Sequence, residues 1–397
     1  MVERVPESNY QQLQHFISES EWDYEGLIED VASSTNGSLE SLTGEKGLLL
    51  DESGNEKAGK QSVGVARQYI GNVGKVCNAQ VGVYAGLCRE KKVSLVGAKL
   101  YLPKQWSDDP NRCQKAGIPK PEQKYRSKPE LGWEMVKQLE GVIEYDWVGG
   151  DTIYGNSTFL RAELRKIKKA FVLDVGQELH VCLAQPQPMI PAKSGRGRKP
   201  HRYVIEEEKI SLQSLVERLE SSRWETISYR EGTKGRLTRE AVLQKVWIWR
   251  KGTEEVEAAE LLISRKTDKT EVKYSLCFEP QKELTVEKAL KRQMQRYWVE
   301  RAFQEIKEQI GMPQYQVRGW RAWHHHIALT MMALHFILET QLENAESLPL
   351  MSAGDVKLLL AKILKNRLDE PEILMETIHQ RHRVRQTDIV RNRPLLI

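Results

Sequence analysis

The feature that most constrains the fold is a change of period along the first half of the chain. From Gly47 to Pro103 four runs, "GLLLDESG", "SVGVARQYIG", "CNAQVGVYAGL" and "KVSLVGAKLYLP", are rich in β-branched residues and punctuated by glycine. They read as three or four strands in one antiparallel group, the first of them ending at Asp51. The pattern then alternates: a helix over Lys128 to Glu140, the strand "YDWVGGD" ending at Asp151, a helix over Ser157 to Lys169, and the strand "AFVLDVG". A β-α-β-α-β order demands an α/β core in which at least two strands are parallel neighbours.

Around this core the organisation changes in steps. Residues 8–33 alternate apolar and charged positions at helical spacing until "STNGS" breaks the pattern, giving a helical N-terminal region over 1–46. The core's first part covers 47–174. At "QPQPMIPAKSGRGRKPHRY" the composition turns to Pro, Gly and Arg, which marks a loop and opens a β-rich insertion over 175–280 with short strands such as "KVWIWRK", "ELLISRK" and "VKYSLCF". Helical periodicity returns from Thr285, giving a second core part over 281–345 and a helical C-terminal region over 346–397. There "GDVKLLLAKILKNRLDEPEILMETIHQRHRVRQ" reads as two short helices with a basic end, suited to protein contacts first and to nucleic acid second.

Several classes are excluded. The five cysteines have no CxxC spacing, so neither a zinc ribbon nor a disulfide framework is indicated, and a reducing, cytoplasmic compartment fits. The N-terminus "MVERVPESNYQQLQHF" lacks a signal peptide's apolar run, and "IALTMMALHFIL" is too short for a span and contains His335, so no membrane crossing is implied. With 60 basic against 55 acidic residues, the net charge of +5 permits a polyanion partner without requiring one.

The chemistry concentrates on carboxylates. Asp51 and Asp151 each close an apolar run, and open α/β sheets present functional side chains where strands leave the core. Either acid alone reads equally as a turn starter or helix cap. A third acid, Glu300, lies in the helical stretch "YWVERAFQEIK", on a face shared with Arg296 and Lys307 and beside an apolar stripe of Val299, Phe303 and Ile306. Read alone, Arg296 and Glu300 are an ordinary i,i+4 pair. If that helix packs near both aspartates, three carboxylates converge, and their repulsion calls for hard cations such as Mg²⁺.

The stretches "LLLDESGNEKAGKQSVGVARQYIGNVGKVCNAQVGVY", "LYLPKQWSDDPNRCQKAGIP", "WVGGDTIYGNSTFLRAEL" and "YWVERAFQEIKEQIGMPQYQVRGWRAWHHHIALTMMALHF" cover most of residues 47–340. In this order they resemble the DDE transposases of bacterial insertion sequences, in the branch related to the IS-four and IS-seven-oh-one groups. The resemblance implies an α/β fold with an RNase H-like core, a mixed sheet flanked by helices and interrupted by a β-rich insertion. It implies Asp51, Asp151 and Glu300 as catalytic residues and ligands of two Mg²⁺ ions, with Mn²⁺ as a substitute. The activity implied is endonucleolytic cleavage at insertion-sequence ends and transfer of the 3′-OH into target DNA, by a homodimer on double-stranded DNA carrying terminal inverted repeats, in the bacterial nucleoid. The family's Tyr, Arg, Glu and Lys signature is matched by Arg296, Glu300 and Lys307, while Gln293 stands at the Tyr position. The alternatives are a catalytically silent or truncated DNA-binding remnant, since only about 46 residues precede the first strand, and an RNase H-like nuclease without strand transfer.

DNA contacts are expected from Arg296, Lys307 and Tyr297 on the Glu300 helix. Others are expected from Arg196, Arg198 and Lys199 in "SGRGRKPHR", which is similar to an AT-hook core, and from Arg230 and Lys234 in the insertion. Trp247 and Trp249 share one strand face and read as core, whereas Trp224 is equally suited to stacking on a flipped base. His324 to His326 are adjacent and point in different directions, which argues against a zinc site and for a helix start near the core or DNA.

Overall fold

The computed structural model describes residues 10–391 apart from 72, 193–197, 233–234, 282, 315 and 365–369. Two helices, α1 (Tyr10–Ser18) and α2 (Tyr24–Ser38), precede the sheet, and the side chain of Asp23 caps the second by accepting from the Gly26 amide. Then come β1 (Lys46–Glu56), β2 (Ala66–Ile70), β3 (Lys75–Arg89) and β4 (Lys92–Leu100), an antiparallel group in which β3 pairs with all three others. Short helices α3 (Lys104–Ser107) and α4 (Pro110–Lys115) lead to α5 (Lys128–Gln138), started by a reciprocal capping box between Ser127 and Glu130.

The crossover units follow: β5 (Trp147–Gly150), α6 (Thr152–Gly155), α7 (Thr158–Lys166) and β6 (Ala170–Asp174). β5 runs parallel to β1 and to β6, giving the order β4-β3-β1-β5-β6, the arrangement of an RNase H-like core. The helix expected over 157–169 is shorter, because Lys168 takes a positive φ of 53° that ends the turn, and residues 152–155 form a separate helical turn.

The insertion holds β7 (His180–Val181), β8 (Ile210–Ser211), α8 (Leu212–Arg218), β9 (Glu225–Gly232), β10 (Gly235–Trp249), β11 (Val256–Arg265) and β12 (Val272–Phe278). Its strands β9 to β12 continue the main sheet, because β12 pairs antiparallel with β6, from Ser275 opposite Asp174 to Phe278 opposite Phe171. The chain ends in α9 (Val286–Glu305), a π-helical turn (Ile306–Ile310), α10 (Trp320–Glu343), α11 (Ala353–Ile363) and α12 (Pro371–Arg391), the last longer than the short helix expected.

The core lies on both faces of the sheet, and the alternation in β1 divides it. Leu49 joins Val299 and Phe303 of α9 and Trp323 of α10, whereas Leu48 and Leu50 join Leu131 of α5, Leu160 of α7 and Tyr154. All three leucines are fully buried, so each contributes on the order of 2 kcal/mol by leaving water. Among the described residues no helix is long and apolar enough to cross a membrane.

Of the adjacent histidines His324 to His326 of α10, His325 ties the N-terminal helices to this core. His324 Nδ1 donates to the Trp320 carbonyl (2.9 Å), His325 Nδ1 to that of Ile17 (2.9 Å) and His326 Nε2 to that of Met312 (3.0 Å), while Trp22 stacks on His325 at 4.0 Å. Burial lowers the pKa of all three, that of His324 to about 4 from an ordinary 6.5. A folded-state imidazole pKa below the unfolded value means that the unfolded chain binds protons first, so stability is lost as pH falls from about 6.5 to about 4. Comparing wild type with His324→Gln cancels other titrations, and the wild type's advantage in melting temperature should shrink between about pH 7.5 and about pH 5.

Candidate active site

The ends of β5 and β6 meet the middle of β1 beside α9. β1 pairs with β5 only from Gly47 opposite Trp147 to Leu50 opposite Gly150, while its antiparallel pairing with β3 continues to Glu56 opposite Ala79. Asp51 therefore lies in mid-strand rather than at a strand end, since β3 holds β1 straight beyond the point where β5 stops. Asp151 follows immediately after β5 and caps α6, its Oδ1 accepting from the Ile153 amide at 2.9 Å. The turn of α6 packs directly on the end of β6: a Cβ at Gly155 would fall 1.7 Å from the Asp174 carbonyl oxygen, so only glycine fits.

Asp174 ends β6, and Arg296 of α9 reaches three acids. Its Nε lies 3.2 Å from Asp174 Oδ2, Nη1 3.7 Å from Asp51 Oδ2 and Nη2 2.9 Å from Glu300 Oε1. Behind Asp174 runs a relay: Ser275 Oγ donates to Asp174 Oδ1 (2.6 Å), Gln293 Nε2 donates to Ser275 Oγ (2.7 Å), and Ser264 Oγ donates to Gln293 Oε1 (2.5 Å). Gln293 of α9 is thus buried over β11 and β12, and its amide completes the support of Asp174.

The electrostatics are those of a site short of positive charge. Burial pushes the Asp51 carboxyl up to about 7, against the pull of Arg296 and helped by Asp151. Burial also raises Glu52 and Asp174, opposed by Lys128 and Arg296 respectively. Burial works against the Arg296 guanidinium, but Asp174, Asp51 and Glu300 outweigh it and raise its pKa. Burial lowers Lys307, and Asp51 resists the change.

Asp51, Asp151, Arg296, Glu300 and Lys307 line one cavity of about 420 Å³, together with Glu52, Tyr69 and Phe303. Carboxylate oxygens of Asp51, Glu52 and Asp151 all lie within 4.8 Å of one another. The half-exposed Glu300 borders the cavity, held by Arg296. Three oxygen donors of this kind fit a hard divalent cation of the Mg²⁺, Ca²⁺ or Mn²⁺ type.

The remaining sequence candidates fall elsewhere. Arg230 of β9 lies over the rings of Tyr297 (4.3 Å) and Trp298 (5.2 Å), so Arg230 and Tyr297 form one stacked cluster joining the insertion to α9. Arg198 and Lys199 are exposed in the loop before β8, and Arg196 and Lys234 lie outside the described residues. Trp224 packs on the insertion's core beneath Arg265 (3.7 Å), and Trp247 and Trp249 are half-buried, each with a lysine over its ring. Sequence reading missed Asp174 and Glu52. Asp174 closes an apolar run just as the two recognised aspartates do, a signal that was present in "AFVLD". Glu52 gave none, because alternation along a strand directs neighbours to opposite faces.

Residues 1–236 match the family model described as DDE superfamily endonuclease. The chain belongs to that family. It is also similar to a probable transposase for insertion sequence element IS701 from Microchaete diplosiphon, 34% identical over 157 residues. That match covers 38% of this chain and 36% of the relative, so the chain spans little more than a third of the relative's length. Among solved structures it aligns with the cryo-EM structure of piggyBac transposase synaptic complex with hairpin DNA, with a TM-score of 0.36 and 13% identity, over 84% of this chain and 56% of that one.

Proposed function

We propose that this DDE superfamily endonuclease is an insertion-sequence transposase that cuts at its element's ends and joins the freed 3′-OH to target DNA. The observation that carries the reading is the convergence of Asp51, Asp151 and Glu300, from two strands and a distant helix, on one cavity around Arg296. Asp51, Asp151 and Glu300 would hold the divalent cations, with Mg²⁺ first and Mn²⁺ as a substitute. Bound there, such ions supply Lewis-acid activation of the attacking oxygen and neutralise charge at the leaving one.

The chain's own residues prepare that site. The β1–β5 register and the α6 cap fix the two aspartates before substrate arrives, which keeps reorganisation small. Arg296 holds Glu300 at the rim and shields Asp51 from Asp174. Lys307 offers a positive charge on the cavity wall for a DNA phosphate, and Arg230 with Tyr297 offers a flat cationic surface one turn before Glu300 along α9. Arg198 and Lys199 add phosphate contacts whose affinity falls with salt. Synapsis of two ends makes a homodimer the working unit on DNA, and the nucleoid of a bacterial cytoplasm is where such substrates lie.

The test is a labelled duplex carrying the element's own terminal repeat, incubated with supercoiled target plasmid and Mg²⁺ or Mn²⁺. A nick at the element boundary followed by a joined product is expected. Cutting without joining would replace this reading with that of a nuclease, and tight end binding without cutting would make the chain a silent remnant.

A further inference from the structure

The geometry points to Glu52 as a further metal ligand, one that closes the cation site from the opposite face of the sheet. This rests on the metal-site reading above. Leu49 and Asp51 point to the α9 face, Leu48, Leu50 and Glu52 to the α5 face, yet Asp51 and Glu52 place carboxylate oxygens within 4.8 Å of each other and of Asp151. Two local facts allow it. The Asp51 side chain folds back along its own strand, Oδ1 accepting from the Glu52 amide at 2.8 Å. Because β5 stops at Gly150, nothing separates the two faces at the level of Asp151.

Glu52 is aimed rather than free. Lys128, at the first turn of α5, donates to its Oε1 at 2.8 Å, which leaves Oε2 buried, with the Tyr154 hydroxyl beside the carboxylate. Tyr154 is wholly buried, and its hydroxyl faces the Glu52 carboxylate and lies in the field of Asp51 and Asp151. A single phenol does not fill the lone pairs of a buried carboxylate oxygen, and leaving them short of partners costs on the order of 1–3 kcal/mol. Charge gives the same answer. Asp51, Glu52, Asp151, Asp174 and Glu300 are met by Arg296, Lys128 and Lys307, with Lys273 acting on Asp174, so the acids still outnumber the cations. With a cation drawing on Glu52 Oε2, the Tyr154 hydroxyl becomes the donor that orients that carboxylate, as outer partners orient metal ligands generally.

The probe is Mn²⁺ alone, titrated by calorimetry and by electron paramagnetic resonance into wild type, Glu52→Gln, Glu52→Asp and Asp51→Asn, with a metal-free melt of each. Glu52→Gln should weaken Mn²⁺ binding about 10- to 100-fold, and Glu52→Asp, which keeps the charge for Lys128 but withdraws the oxygen, about tenfold. The metal-free melting temperature of Glu52→Gln should not fall, because one of three crowded carboxylates is gone. If Asp51→Asn loses Mn²⁺ while both Glu52 variants bind it as wild type does, Glu52 is only the partner of Lys128 and the inference fails with the metal reading intact. If wild type and all variants bind Mn²⁺ equally, or none binds it, both fall together. Should Glu52→Gln not fold, Glu52→Asp decides alone by the same criterion.

Discussion

Asp51→Asn will cut an element-end duplex at least about a hundredfold more slowly than wild type, while binding the same duplex with similar affinity. The bound is conservative, since losing an outer partner of a metal ligand alone costs about 10- to 100-fold and Asp51 is proposed as a ligand itself. Its stability should move the other way. Burial and the nearby Asp151 disfavour the ionised carboxylate, and Arg296 lies 3.7 Å away with its stronger contacts to Asp174 and Glu300. The raised pKa, about 7, means that the folded protein without metal loses stability as pH rises from about 4 to about 7. Asparagine removes that penalty, so the metal-free variant should melt higher than wild type above about pH 7. Gel-shift, single-turnover cleavage and thermal melting on one preparation check all three parts. A variant that cuts normally, or that melts lower at high pH, would contradict the account.

The largest effect on stability is expected at Arg292, two turns before Glu300. Its guanidinium is 3% exposed and lies between Glu45 and Glu279, with Nε and Nη2 each 2.8 Å from Glu45 and Nη1 3.0 Å from Glu279. Lys288 joins both acids from the preceding turn. Glu45 precedes β1 and Glu279 follows β12, so this network clamps α9 to the sheet one turn before Arg296. Arg292→Met should cost about 3 kcal/mol, the lower end for removing one partner of a buried ion pair, because Lys288 remains and Glu45 is partly solvated. Adding Glu45→Gln and Glu279→Gln should recover most of that loss, since the desolvated charges go as well. Urea denaturation measures both steps. Cleavage should also fall in the single variant, because the helix that aims Arg296 and Glu300 is no longer pinned.

The parts of this site that depend on local pattern were legible in the sequence, and those that depend on distant pairing were not. The leucine run before Asp51, the glycines before Asp151 and the capping box of α5 each act within a few residues, so residue type alone located them. That Asp51 lies in mid-strand depends on how far β3 follows β1, more than twenty residues away in sequence, and the period of one strand does not carry the length of its partner. Likewise "VKYSLCF" reads as a strand, but nothing in it says that it pairs with β6 and so delivers Ser275 to Asp174. Arg296 was readable as a neighbour of Glu300 one turn on. Its role as the common counter-charge of three acids required the packing of α9 across the strand ends. Glu52 is the clearest case: strand alternation sends it away from Asp51, and only the early end of β5 brings the two side chains together.

Glu300 is the proposed ligand that the fold leaves most open, and its replacement tests the central claim most directly. Glu300→Gln keeps the shape of the side chain and a hydrogen bond for Arg296 but removes the charge. In a labelled element-end duplex with Mg²⁺, the account predicts that the variant binds the end and does not cut it, while wild type nicks at the boundary. A Glu300→Gln protein that nicks at the wild-type rate would contradict it, returning Glu300 to the role of a helix-surface partner of Arg296.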